Sequence, residues 1–139
     1  MSCFTAHTGE KVCLDKGLVV LYVYPKDNTP GCTVEAQEFN QLLPEFERLG
    51  VKVVGLSKDS LESHKRFAQK LGLRFPLISS EDLIKELGAW GKKAFGREGT
   101  IRSTFVFKDG QLIQSWKNVR ARGHAQKVLE WVREWTSSH

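Results

Sequence analysis

The residue types that can do chemistry together lie in one segment, Tyr24-Pro-Lys-Asp-Asn-Thr-Pro-Gly-Cys-Thr-Val-Glu-Ala36. Thr29-Pro30 reads as a helix N-cap followed by proline at the first helical position, where a missing N–H is tolerated. Cys32 then falls in the first helical turn, among backbone N–H groups that have no intrahelical partner. Those groups and the positive end of the helix dipole stabilise a thiolate over a thiol, and the thiolate is the nucleophile. Gly31 carries no side chain, so a small substrate can approach the backbone there. Pro25 ends the preceding strand and is placed to shield the sulfur from water. On chemistry alone this reading stands beside a plainer one, in which Cys32 is a small residue buried at a helix start.

Such a cysteine must be delivered by a strand and a helix, and the flanking sequence supplies both. Leu18 to Tyr24 is a continuous apolar run, β-branched and aromatic, which predicts a central strand covered on both faces. Val51 to Leu56 predicts a second. Between them Ala36, Phe39, Leu43 and Phe46 recur at helical spacing. Pro44 sits inside that pattern and is expected to kink or divide the helix, because its ring opposes the carbonyl of Asn40. Strand, helix and strand of these lengths form a right-handed βαβ unit.

The remaining elements are shorter. Residues 3–6 and 11–14 read as two strands around Thr8-Gly9. A helix is predicted over 60–71, with Asp59 as N-cap, Glu62 three residues on and Gly72 at its end; Leu61, His64, Phe67, Ala68 and Leu71 form its inner stripe, with His64 toward the flank. A short strand follows at 76–78, then a brief helix through Leu83, Ile84 and Leu87. Residues 89–101 read as a Gly-rich basic loop. Thr104–Lys108, Asp109-Gly110 and Gln111–Lys117 form the clearest hairpin. A last helix shows Ala125, Val128, Leu129, Val132 and Trp135 on one face. The sum is an α/β fold: one domain over 1–139, with a mixed central sheet, helices on both faces and one antiparallel hairpin.

The cysteine segment, Pro25-Lys-Asp-Asn-Thr29-Pro-Gly-Cys32-Thr-Val-Glu35-Ala, resembles the PxxxTxxC signature of peroxiredoxins, in the form found in the bacterioferritin comigratory protein or peroxiredoxin Q subfamily. Val54-Gly-Leu-Ser57 with Ser60-Leu-Glu-Ser-His64, Arg74-Phe-Pro-Leu-Ile-Ser79, Arg102-Ser-Thr-Phe105 and Gly123-His124 extend the resemblance over nearly the whole chain. It implies a thioredoxin-like fold and a cysteine peroxidase that reduces hydrogen peroxide and small alkyl hydroperoxides without metal, haem or other cofactor. Cys32 then matches the peroxidatic cysteine, which becomes a sulfenic acid. Thr29 matches the hydroxyl that binds the substrate oxygens, and Arg102 matches the active-site arginine. Pro25 and Gly31 flank the substrate, and Glu35, one turn beyond Cys32, is placed to orient Arg102. The reductant implied is thioredoxin or another thiol.

One departure from the pattern concerns the second cysteine. Many members of the subfamily carry it five residues after the first, where this chain has Gln37, or in a later helix, which here spans Ser80 to Gly88 and has none. The expectation is therefore a one-cysteine cycle resolved by an external thiol. Cys3 and Cys13 flank the first hairpin. They read as two small hydrophobes on a strand pair, or as candidate resolving cysteines for Cys32.

Composition bounds the alternatives. The chain has 139 residues, with 21 Lys+Arg against 16 Asp+Glu for a net charge of +5. No apolar run approaches the length of a membrane helix, and the N-terminus lacks a secretory pattern. Three cysteines make a disulfide scaffold unexpected and favour a cytoplasmic setting. Lys92, Lys93 and Arg97 with Gly91, Gly96 and Gly99 lack the GK[ST] ending of a phosphate loop. Lys117, Arg120, Arg122 and Lys127 lack the interleaved aromatics of a nucleic-acid surface. No histidine has an evident link to Cys32, which weighs against a Cys–His protease arrangement. A monomer or weak homodimer is expected. The rival reading of function is a thioredoxin-fold redox sensor or thiol-relay protein that does not turn over efficiently.

Overall fold

The computed structural model describes residues 3–139. In chain order the elements are β1 (Cys3–Thr5), β2 (Lys11–Cys13), β3 (Leu18–Val23), α1 (Pro30–Arg48), β4 (Val51–Ser57), α2 (Leu61–Leu71), β5 (Leu77–Ser79), α3 (Glu81–Glu86), β6 (Trp90–Lys92), β7 (Glu98–Thr100), β8 (Ser103–Lys108), β9 (Gln111–Lys117) and α4 (His124–Ser138). Five strands form one mixed sheet in the order β5-β4-β3-β8-β9. β3 runs parallel to β4 and antiparallel to β8, which puts it at the centre.

All six residues of β3 are buried. The alternation of a strand sends Leu18, Val20 and Tyr22 to one face and Val19, Leu21 and Val23 to the other. On the first face they pack with Phe39, Leu43 and Phe46 of α1, Phe67 of α2, and Val128, Leu129 and Val132 of α4. On the second they pack with Leu83 and Ile84 of α3 and with Val12 and Leu14 of the N-terminal hairpin. The sheet therefore has helices on both faces, as the sequence predicts.

Four local expectations are corrected. α1 runs unbroken through Pro44. The carbonyl of Asn40, which proline cannot serve, instead accepts from Arg74 Nη2 at 2.8 Å, while the Asn40 side chain bridges the Arg74 N–H and the Gly72 carbonyl. The N-cap of α2 is Ser60, whose hydroxyl accepts from the Ser63 N–H, and not Asp59. Residues 89–101 are not an open loop. β6 and β7 pair antiparallel, with Trp90 opposite Thr100, and the Trp90 ring lies under the ammonium groups of Lys58 and Lys85. Glycines at three positions had hidden that hairpin from a periodicity reading.

The fourth correction is chemical. Cys3 and Cys13 face each other in the β1–β2 register and form a disulfide. They are bonded to each other instead of standing as two free thiols, so neither has a thiol for Cys32 in this state, and the odd cysteine count concealed the pairing. The bond also removes the argument for a reducing compartment that the cysteine count had offered. No helix among the described residues is long and apolar enough to cross a membrane.

Candidate active site

The parallel pair β3–β4 and the helix between them deliver Cys32. β3 ends at Val23, residues 24–29 turn, and α1 begins at Pro30. Thr29 stands at the N-cap with extended backbone, as the sequence predicts, yet its side chain does not cap the helix. Its hydroxyl donates to the Lys26 carbonyl at 2.8 Å and so closes the turn. The Gly31 and Cys32 N–H groups, which an N-cap side chain would serve, therefore receive no side-chain cap.

Cys32 is the one free cysteine among the described residues, and it is 1% exposed. Arg102 comes from the other side of the sheet centre. Val23 pairs with Ser103 in the β3–β8 register, so Arg102, one residue earlier, stands beside the end of β3 where the turn begins. Its Nη2 donates to Cys32 Sγ at 3.4 Å and its Nη1 donates to Glu35 Oε1 at 2.6 Å. The geometry thus unites the predicted Cys32, Arg102 and Glu35. Gly31 belongs to the same cluster for a reason the sequence did not give: a Cβ there would lie 3.0 Å from Arg102 Nη2. The missing side chain makes room for the guanidinium.

The electrostatics follow from burial. Glu35 is wholly buried, and desolvation pushes its carboxyl up to about 7 against the pull of Arg102. Its Oε2 has no hydrogen-bond partner. Burial works against the charge on Arg102, but Glu35 and Cys32 outweigh it and hold the guanidinium above its usual range. A guanidinium fixed between a carboxyl and a sulfur stabilises negative charge on that sulfur and on an atom bonded to it.

A second group was missed at the sequence level. Asp27, within the turn, accepts from Tyr24 OH at 2.6 Å, from Ser63 OH at 2.9 Å and from His64 Nδ1 at 2.7 Å. The other ring nitrogen of His64 donates to the Ile78 carbonyl at 3.0 Å. Burial opposes the Asp27 charge, but these donors hold its carboxyl below the usual range. The Asp27 N–H in turn donates to Asp59, which also accepts from Ser57. His64 is fully buried on the inner stripe of α2 as the partner of Asp27, which corrects the flank position and bears out the stripe. A signal existed: Asp27 sits five residues before Cys32, and a histidine occupies the inner stripe of α2.

Gln37, at the position where the subfamily often has its second cysteine, is exposed on α1. Neither Cys3 nor Cys13 has a thiol to offer Cys32 while they are bonded to each other.

Comparison with known proteins agrees with this geometry. The model of the AhpC/TSA family matches residues 5–115. Peroxiredoxin Bcp of Xanthomonas campestris pv. campestris is 47% identical over 120 residues, covering 80% of this chain and 73% of that protein. Peroxiredoxin Bcp of Bacillus subtilis is 39% identical over 122 residues, covering 84% and 78%. A structure of the Xanthomonas campestris bacterioferritin comigratory protein, described in terms of its alkyl peroxide reduction activity, superposes with a TM-score of 0.90 at 38% identity, covering 96% of this chain and 91% of that one.

Proposed function

The chain belongs to the AhpC/TSA family as a peroxiredoxin of the Bcp/PrxQ kind, a thiol-dependent peroxidase, and from that premise we propose how its site carries the reaction. Cys32 is the peroxidatic residue for hydrogen peroxide and small alkyl hydroperoxides. Its thiolate attacks one peroxide oxygen; an S–O bond forms as the O–O bond breaks. The leaving oxygen departs as hydroxide or alkoxide and takes up a proton to give water or an alcohol. Cys32 remains as sulfenic acid. The redox-sensor alternative finds no support in relatives that are peroxiredoxins by name.

The observation that carries this reading is the 3.4 Å contact from Arg102 Nη2 to Cys32 Sγ in the first turn of α1. There the guanidinium meets the charge that grows on the leaving oxygen as the O–O bond breaks. Glu35 positions Arg102 through Nη1 and leaves Nη2 for the sulfur. The Thr29 hydroxyl spends its hydrogen on the Lys26 carbonyl, so its oxygen lone pairs are left to accept from a hydroperoxide O–H. Pro25 fences the site, and Gly31 admits Arg102 as well as substrate. The reaction uses no metal or cofactor. Its partners are a hydroperoxide and thioredoxin or another thiol, with the chain acting as a monomer or weak homodimer.

Stopped-flow oxidation by hydrogen peroxide tests the proposal. Cys32→Ser should abolish turnover, and Arg102→Ala should slow the oxidation step by about 10². A wild-type Cys32 that reacts no faster than free cysteine would overturn it.

A further inference from the structure

A cavity of about 530 Å³ adjoins the site, with Pro25, Lys92, Lys93, Thr100, Arg102 and Asn118 among its walls. Three of its residues are cationic and none is acidic. Arg102 is committed to Glu35 and Cys32. Lys92 and Lys93 enter no ion pair among the described residues, although Glu98 stands opposite Lys92 in the β6–β7 register. Thr100 is 2% exposed and its hydroxyl has no hydrogen-bond partner. The Ile101 N–H, which donates to the Ala89 carbonyl, closes the base of the hairpin that carries both lysines. The cavity is of the size that small organic ligands occupy, and much larger than a hydroperoxide group needs.

The redox chemistry leaves one requirement unmet within the chain. Oxidised Cys32 needs a thiol, and the chain's other two cysteines are bonded to each other. The thiol must come from outside, and it attacks as the thiolate. We propose that this cavity binds the reducing substrate, and that the substrate is a small thiol bearing a carboxylate, held by Lys92 and Lys93 while its sulfur approaches Cys32 past Arg102. This rests on Cys32 being the peroxidatic residue. The thiolate attacks the sulfenic sulfur; an S–S bond forms and the S–O bond breaks. The departing hydroxide takes a proton and leaves as water. A second thiolate then attacks the substrate sulfur of that mixed disulfide, frees the Cys32 thiolate and departs as the symmetrical disulfide. The two thiols supply the two electrons that the sulfenic acid consumes.

The test uses the full chain, oxidised with one equivalent of hydrogen peroxide and then mixed with 3-mercaptopropionate, 2-mercaptoethanol or cysteamine, with rates expressed per thiolate. The anionic thiol should react about tenfold or more faster than the neutral one, as for one charge-assisted contact, and cysteamine slowest. The preference should shrink toward unity in the Lys92→Gln/Lys93→Gln variant and fade with rising salt. Equal rates for the anionic and neutral thiols in the wild type would overturn the proposal, as would a preference that survives the double substitution. So would a double variant that is slowed only toward a carboxylate-bearing hydroperoxide, because the cavity would then serve the oxidising substrate. Wild-type oxidation by hydrogen peroxide is measured alongside. Slow oxidation removes the peroxidatic reading itself, whereas fast oxidation without a charge preference removes only the cavity.

Discussion

Gly31 lies beside the Arg102 guanidinium, with room for a hydrogen atom and not for a methyl group. Gly31→Ala should push Nη2 away from Cys32 by a fraction of an ångström and slow oxidation by up to ~10-fold while the fold persists, since misplacing a catalytic group by a full 1 Å costs about 100-fold. Stopped-flow rates and a circular dichroism spectrum check both halves. Glu35 gives a pH prediction with a definite sign. Burial raises its folded value from 4.5 to about 7, so between those pH values the folded chain holds the proton and the unfolded chain does not. The stability associated with that proton is present below pH 4.5 and is lost as the pH rises through 7. Glu35→Gln abolishes the dependence. From pH 4.5 to 8 the stability difference should move in the variant's favour by up to roughly 3 kcal/mol, at 1.36 kcal/mol per unit. Urea unfolding at a series of pH values measures it. No drift between variant and wild type would mean that Glu35 ionises in the folded state as it does in water.

At the scale of elements, the turn between β3 and α1 owes its shape to other parts of the chain. Tyr24, Ser63, His64 and Asp59 bind Asp27 from two directions, and His64 is tied on to β5 through Ile78. Removing one member leaves a charge buried without its partner, which costs about 3–5 kcal/mol. His64→Ala should therefore lower stability by that amount in denaturant titrations. A loss below about 1 kcal/mol would show that the Asp27–His64 pair is not an anchor. α1 illustrates the same dependence: it continues past Pro44 because Arg74, from beyond α2, serves the carbonyl that proline abandons.

At the scale of the whole molecule, the N-terminal hairpin caps the sheet face opposite α1, and its disulfide closes a loop with a sequence separation of 10. A loop of that length contributes about 2–3 kcal/mol by restricting the unfolded chain. The Cys3→Ser/Cys13→Ser double variant should lose that stability and keep its peroxide turnover. A loss of turnover with an intact fold would return these two cysteines to the reaction cycle.

The sequence by itself determined what is local in the chain. The buried run of β3, the helical spacing after Ala36, the Asp109-Gly110 hairpin and the Thr29-Pro30-Gly31-Cys32 turn are all set by side-chain period and backbone preference over a few neighbouring residues. For the same reason Cys32 was legible as a candidate sulfur, while Thr29, Arg102 and Glu35 came from the resemblance to peroxiredoxins and not from the local pattern. Tertiary structure alone decided which distant groups meet: Asp27 with His64, Cys3 with Cys13, Lys92 and Lys93 with Arg102 around one cavity, and Arg74 with the carbonyl opposite Pro44. Those contacts depend on strand register and on how helices sit across a sheet, and a hydrogen bond made across 37 residues leaves no periodic trace in the residues between its ends.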